Sequence, residues 1–365
     1  MSEGGRWYTR LSAFIEVTAS VEHVFRGVVH SGCFTDERNL ALVVSHPHPD
    51  NDHGGGPGPV RDWREPYDTE EYASLVDSDF DPEDASFEVR EFRDVAVCTE
   101  GVWSLEALPG SGTIDALCRL GVGGYGALLS YGGSAFFAAI RTGEGGRWEG
   151  LEYQGLPAGL VDLRACFSGS DIVLAGSRSF APDAPSEVGV LVRGEGVMTW
   201  THSLGQVPGR VLVLASSLGE DGTRVLYAGG RGLWMYAEGQ WRDVHSYLSS
   251  EVVFLRCFPS GEVVAGTARG DVIAGTGADC RVIGRVGPIH SAERWGGDLY
   301  VADSEQVYRW GGDGFERCAT PREDSMGDWP TVGRLSVGGG RLWLAGSHVL
   351  ASSADGKDWT THPVR

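Results

Sequence analysis

The chain has no run of eighteen apolar residues, so no helix could cross a membrane. Its start, Met1-Ser2-Glu3-Gly4-Gly5-Arg6-Trp7, lacks a basic region leading into an apolar one, and the expected compartment is the cytoplasm. Cysteine is sparse and unpaired. Cys33, Cys98, Cys118, Cys166, Cys257, Cys280 and Cys318 are odd in number and never closer than 20 residues, which suggests neither a zinc knuckle nor a disulfide framework. Positive charge is also scarce: 30 Lys and Arg stand against 50 Asp and Glu, a formal net charge of −20. Such a field repels nucleic acid and anionic lipid and attracts cations or basic protein surfaces. No P-loop or nucleophile elbow occurs, and no long stretch repeats with helical period.

Glycine is abundant, with 55 residues set among short runs rich in Val, Leu and Trp, which points to an all-β chain with many turns. A recurrence orders them. Seven times a short Gly-bearing turn leads to Trp, Phe or Cys and then a fresh apolar run, ending at Trp103, Trp148, Trp200, Trp241, Cys280, Phe315 and Trp359. The six intervals average about 43 residues, the length of a four-stranded propeller blade. The expectation is one domain over 1–365, a seven-bladed β-propeller of four-stranded antiparallel blades. The fifth blade reads most plainly, as Val252–Cys257, Glu262–Gly266, Asp271–Ala274 and Cys280–Ile283. Cys118, Cys166, Ala215, Cys257 and Ala292 sit at similar distances before a Gly, where small side chains would suit the crowded innermost strands. A second marker is an alanine expected in each second strand, at Ala138, Ala175, Ala228, Ala265, Ala302 and Ala345. Extra length in the third blade falls at the Pro-rich stretch 179–186, expected to be a hairpin tip.

The first blade departs from this unit. Leu40–Val44 and Phe87–Phe92 are separated by a Pro- and Gly-rich acidic insertion, 46–86. From His46 to Glu88 thirteen acids stand against Arg61 and Arg64, a net −11 in 43 residues. Binding groups ride on loops held by a rigid scaffold, so this insertion is the expected functional element. Gly5-Arg6-Trp7 repeats the turn signature and is expected to add a closing strand or begin an eighth blade.

The last turn, Ser352-Ser353-Ala354-Asp355-Gly356-Lys357-Asp358-Trp359, resembles the Asp-box of sialidase-like and photosystem-assembly-factor-like propellers, Ser-x-Asp-x-Gly-x-Thr-Trp. Ser352, Gly356 and Trp359 match; Ala354 replaces the aspartate, with Asp355 beside it, and Asp358 replaces the threonine. The resemblance implies a folding device in which a polar side chain ties the turn and the Trp packs between blades. It carries no catalysis. The Phe/Tyr-Arg-Ile-Pro motif of sialidases is absent, and so are the paired Gly-His and Trp-Asp signatures of WD repeats.

Two patterns within the insertion bear on metals. Ser45-His46-Pro47-His48-Pro49-Asp50-Asn51-Asp52-His53-Gly54-Gly55 resembles the His-x-His-x-Asp-His motif of metallo-β-lactamase-like hydrolases, with two extra residues between Asp50 and His53. Imidazoles and a carboxylate at His46, His48, Asp50 and His53 are candidate zinc ligands. Asp77, Asp79, Asp81 and Glu88 hold positions 1, 3, 5 and 12 of an EF-hand-like loop and are candidate calcium ligands, although Pro82 stands where that loop needs glycine. Asp68, Glu70, Glu71, Glu83 and Asp84 remain as candidate partner contacts. Gly121–Gly126 spells Gly-x-Gly-x-x-Gly, but a strand beginning at Ala127 is expected after it, and not the helix that a dinucleotide site requires. The leading expectation is a non-enzymatic scaffold that binds a basic protein partner through the insertion. The alternatives are a metal-dependent hydrolase using the His/Asp cluster and a glycan-binding propeller with Trp platforms.

Overall fold

The computed structural model describes residues 28–36, 39–45, 94–99, 102–109, 113–120, 124–131, 135–141, 146–194, 197–218, 223–245, 248, 250–319, 334–346 and 349–362. These residues form strands and turns, with one 3-10 turn at Gly277–Asp279 and no α-helix among them.

The strands fall into successive four-strand meanders. The first is β1 (Val28–Asp36), β2 (Asn39–Ser45), β3 (Asp94–Thr99) and β4 (Val102–Ala107). The second is β5 (Thr113–Arg119), β6 (Tyr125–Tyr131), β7 (Ala135–Arg141) and β8 (Trp148–Gln154); the third is β9 (Val161–Ser168), β10 (Asp171–Ser177), β11 (Ser186–Arg193) and β12 (Val197–Val207). Next come β13 (Val211–Leu218), β14 (Arg224–Gly230), β15 (Leu233–Ala237) and β16 (Gln240–His245), then β17 (Val252–Cys257), β18 (Glu262–Thr267), β19 (Asp271–Thr276) and β20 (Arg281–Arg285). The last two are β21 (Ser291–Trp295), β22 (Asp298–Ala302), β23 (Val307–Trp310) and β24 (Phe315–Arg317), and β25 (Arg334–Gly338), β26 (Arg341–Gly346), β27 (Val349–Ser353) and β28 (Trp359–His362). Pairing within each is antiparallel. The second and third merge into one eight-stranded sheet because their outer strands, β8 and β12, pair in parallel from Val197 opposite Glu152 to Thr199 opposite Gln154.

All seven turn markers fall on a fourth strand or, for Cys280, one residue before it. Two of these rings fold back onto their own sheet: Trp241 lies 5.4 Å from Tyr236 and Phe315 5.0 Å from Trp310, centroid to centroid. Trp200 lies across Gly189, where any Cβ would collide with its indole. The alanine marker needs one correction. Ala138 belongs to β7, a third strand, whereas Ala175, Ala228, Ala265, Ala302 and Ala345 lie in second strands. Both central strands of a meander are buried on both faces, so small apolar residues occur in either and composition alone does not separate them.

The core is divided into clusters that lie between consecutive meanders. Ala41, Val95 and Val97 of the first meet Ile114 and Tyr125 of the second. Val173 and Val188 of the third meet Leu214 and Leu226 of the fourth, and Tyr227 and Leu233 of the fourth meet Leu255 and Val263 of the fifth. Val264 and Val272 meet Leu299 and Val301; Tyr300 and Val307 meet Leu342 and Leu344. Each fully buried Val or Leu contributes about 2 kcal/mol relative to exposure, and a single four-stranded meander has nothing of its own to cover either face. The meanders therefore depend on one another. At the ends of the chain β1 packs against β25 and β26, so the last meander also meets the first.

Candidate interaction face

Neighbouring meanders are oriented alike, because starts of first strands contact starts and ends contact ends. Near the starts, Ser291 Oγ donates to Leu335 O at 3.4 Å; near the ends, Trp295 Nε1 donates to Gly340 O at 3.3 Å. In the third and fourth, Asp162 meets Arg210 at one end while Ser216 Oγ bonds Ser168 Oγ at 2.8 Å at the other. A meander alternates its connections between two edges. Links from second to third strand, and from a fourth strand to the next first, thus share one edge. At that edge lie the strand ends joined by the long connections 46–93, 178–185 and 318–333, whereas no link between described strand ends at the opposite edge is longer than 142–147. The acidic insertion joins β2 to β3, and the expected Pro-rich hairpin joins β10 to β11 at the same edge.

The first strands enter this edge through bulges. Register shifts interrupt β1 between Val29 and Ser31, β5 between Ile114 and Ala116, β13 between Val211 and Val213 and β17 between Val252 and Phe254, and β9 slips opposite Ala175 and Ser177. A bulge re-aims side chains at the rim of a sheet. In β9 it puts Asp162 at φ 52°, a left-handed conformation that Asp tolerates better than most residues. Its carboxylate is buried and receives two guanidinium groups, Arg164 Nη2 at 2.9 Å and Arg210 Nε from the next meander. Arg164 Nε also donates to Leu212 O at 3.0 Å, so this ion cluster fastens β9 to β13.

Other buried charges at the meander boundaries have structural partners. Arg256 Nη2 reaches Glu293 Oε1 at 2.6 Å, and Arg294 Nε reaches Glu262 Oε2 at 2.9 Å, two crossed ion pairs between the fifth and sixth meanders. Burial pushes the Glu293 carboxyl above the ordinary carboxylate range and Arg256 pulls it back. Asp303 Oδ1 accepts from the amides of Glu305 and Gln306, and Oδ2 from Gly287 N and Tyr308 Oη, which uses both oxygens in holding a turn. Burial, aided by Arg334, lowers the His290 imidazole.

The cysteines read as first-strand residues lie there: Cys118 in β5, Cys166 in β9 and Cys257 in β17, with Ala215 in β13 and Ala292 in β21. Burial pushes Cys166 and Cys257 up to about 12 and Cys280 and Cys318 up to about 11, so these thiols remain protonated at neutral pH. The stretch after Gly121–Gly126 is strand β6, which leaves no helix to bind a dinucleotide phosphate there. In the final turn the Asp355 carboxylate accepts from Lys357 N and Asp358 N, both at 2.8 Å, while Ser353 Oγ accepts from Gly356 N at 2.8 Å. Trp343 is fully buried and Trp234 nearly so, which removes both as ligand platforms.

The residues proposed for metal, His46, His48, Asp50, His53, Asp77, Asp79, Asp81 and Glu88, lie outside the described residues. So do the partner contacts Asp68, Glu70, Glu71, Glu83 and Asp84, and the N-terminal Gly5-Arg6-Trp7. Among the described residues no group of three or more His, Cys, Asp or Glu side chains is placed to hold a metal ion. Sequence reading missed the Asp162–Arg210 cluster, because its partners stand 48 residues apart and belong to different meanders.

No family model and no curated protein matches the chain. Among solved structures it is similar to PorZ of Porphyromonas gingivalis, described as an essential bacterial surface component of a type-IX secretion system, at 12% identity and a TM-score of 0.45. That match covers 75% of this chain and spans only 37% of PorZ. A computationally designed protein, Ika8, is similar at 12% identity and a TM-score of 0.46, over 92% of this chain and 96% of its own.

Proposed function

We propose that the chain is a seven-bladed propeller of four-stranded antiparallel blades, and that it serves as a non-enzymatic scaffold for a basic protein partner. Closure of a ring is supported by the contact of β1 with β25 and β26 together with the shared orientation of neighbouring meanders. The observation that carries the function is the asymmetry of the edges. The strand ends joined by the long connections share one edge, and the longest connection holds the net −11 of residues 46–88. A ring of rigid blades would fix where that charge is displayed, and a single-sign field of this kind steers a cationic surface and sets its orientation.

The test is to delete residues 46–88 and titrate a dye-labelled hexalysine peptide into both proteins by fluorescence anisotropy at low salt. The deleted chain should bind about tenfold or more weakly, the equivalent of about 1.4 kcal/mol, and the difference should shrink as salt is raised. Equal affinities for the two proteins would remove the insertion from the account.

A further inference from the structure

At the boundary of the third and fourth meanders, two guanidinium groups share the single Asp162 carboxylate, and they are not equally satisfied. Arg164 is fully used: Nε donates to Leu212 O at 3.0 Å, Nη1 to Leu163 O at 3.0 Å and Nη2 to Asp162 Oδ1 at 2.9 Å. Arg210 is not. Its Nε donates to Asp162 Oδ2, but neither Nη1 nor Nη2 has a hydrogen-bond partner among the described residues. The Arg210 side chain is 29% exposed and that of Asp162 only 1%, so what solvent reaches is the side of the guanidinium turned away from the carboxylate.

The backbone holds Arg210 from two directions. Its N–H donates to Pro182 O of the 178–185 hairpin at 3.3 Å, and its carbonyl oxygen lies against Gly230, where a Cβ would come within 2.1 Å of it. Gly230 ends β14 and pairs with Val211 at the start of β13. One residue beyond that pair, on either strand, stand Arg210 and Arg231. Like charges placed across from one another at neighbouring strands are unfavourable. Arg231 is exposed and makes no hydrogen bond or ion pair among the described residues, so two cations meet here with one carboxylate already shared between Arg164 and Arg210. The bond to Asp162, above all, raises the Arg210 guanidinium above its ordinary range, and Glu251 adds to this without forming an ion pair with it.

We propose that Arg210 and Arg231 form an anion site at the edge where the acidic insertion is joined, and that it takes the dianionic phosphate group of a small molecule. Two unanswered guanidinium groups call for about two negative charges, which a phosphate monoester carries near neutral pH and a single carboxylate does not. A planar fork engaged on one side and open on the other matches two oxygens of such a group, and Arg231 is left to meet the third. Asp162 is a positioning residue: its left-handed backbone and buried carboxylate fix Nε and so set the direction of the Nη pair. The exposed acids Asp183 and Glu251 and the net charge of −20 disfavour a polyanion, which restricts the ligand to a small one. The site goes beyond the basic-partner reading and needs no part of the acidic insertion.

Thermal unfolding at fixed ionic strength, with chloride exchanged for inorganic phosphate or for acetate, tests it on the parent and on Arg210→Gln, Arg231→Gln and Arg193→Gln. At tenfold above its dissociation constant, phosphate bound only to the folded chain should raise the midpoint by about 2 °C. Phosphate also stabilises folded chains in general by exclusion from their surface, so the decisive quantity is the part of the rise that a substitution removes. Arg210→Gln and Arg231→Gln should each remove most of it, whereas Arg193→Gln, which deletes an equal charge from an exposed position at the opposite edge, should remove none. The same rise in Arg231→Gln as in Arg193→Gln overturns the site, and so does the absence of any rise in the parent. Acetate should give a smaller Arg231-dependent rise; one as large as that of phosphate overturns the choice of a dianion. If Arg210→Gln does not fold, the comparison of Arg231→Gln with Arg193→Gln decides alone, because Arg231 lies outside the Asp162 cluster.

Discussion

Replacing Asp162 by Ala should destabilise the protein by about 3 kcal/mol, because its carboxylate is nearly inaccessible while two guanidinium groups, each with 29% of its side chain exposed, converge on it. Removing one member of a buried ion pair costs about 3–5 kcal/mol, and the partial exposure of Arg164 and Arg210 places the loss at the lower end, since both can recover water. For 365 residues the entropy of unfolding is about 0.8 kcal/mol/K, so the melting midpoint should fall by about 4 °C. Part of that loss is conformational. At φ 52° an alanine pays about 1 kcal/mol that glycine avoids, so Asp162→Gly should be more stable than Asp162→Ala by about that amount. Asp162→Asn, which tolerates the same backbone and can still accept one hydrogen bond, should fall between Asp162→Ala and the parent. Urea unfolding followed by both tryptophan fluorescence and far-ultraviolet circular dichroism measures all three and shows whether the sheets unfold together. An Asp162→Ala protein within about 0.5 kcal/mol of the parent would refute the idea that this cluster fastens the third meander to the fourth, because surface substitutions commonly fall in that range. An Asp162→Gly protein less stable than Asp162→Ala would refute the strain argument separately.

Two further outcomes follow from shifted groups. Burial raises Cys166 and Cys257 from 9.0 to about 12 and Cys280 and Cys318 from 9.0 to about 11, so the unfolded chain ionises first as pH rises; stability should hold up to about pH 9 and be lost between about 9 and 12. Site-resolved labelling by a thiol reagent near pH 8 should be about 100-fold slower at Cys280 and Cys318, and about 1000-fold slower at Cys166 and Cys257, in the native protein than in urea, and equal rates would contradict their burial. The amides of Lys357 and Asp358, above all, hold the Asp355 carboxyl below its ordinary value of 3.8, so its stabilisation is present above that value and lost as pH falls through the lowered one. Asp355→Ala should therefore unfold at lower urea than the parent near neutral pH, with the gap closing as pH falls below 3.8; a gap independent of pH would assign the effect to something other than the charge.

What could be read from the sequence, and what could not, divides along the chain's own repeat. The fourth-strand markers were legible because each ring or thiol must pack in the same place in every meander, and a demand repeated at intervals of about 43 residues leaves a visible period. Trp200 needs Gly189 beneath it and Phe315 needs Trp310 beside it, so the marker and its support recur together within one meander. Ala138 was placed in the wrong strand for a related reason: β6 and β7 are both central and both buried, and Gly126, whose missing side chain makes room for Phe167 of the next meander, reads locally as part of a turn. Contacts between meanders leave no such trace. Asp162 with Arg210, Glu293 with Arg256 and Ser291 with the backbone of Leu335 each occur once, across 48, 37 and 44 residues, and no spacing rule announces them. A repeat scaffold thus writes its folding rules periodically and its recognition chemistry once per chain. The places to search in such a protein are the positions where a meander departs from its neighbours: here the insertion between β2 and β3, the lengthened hairpin between β10 and β11, and the parallel seam of β8 with β12.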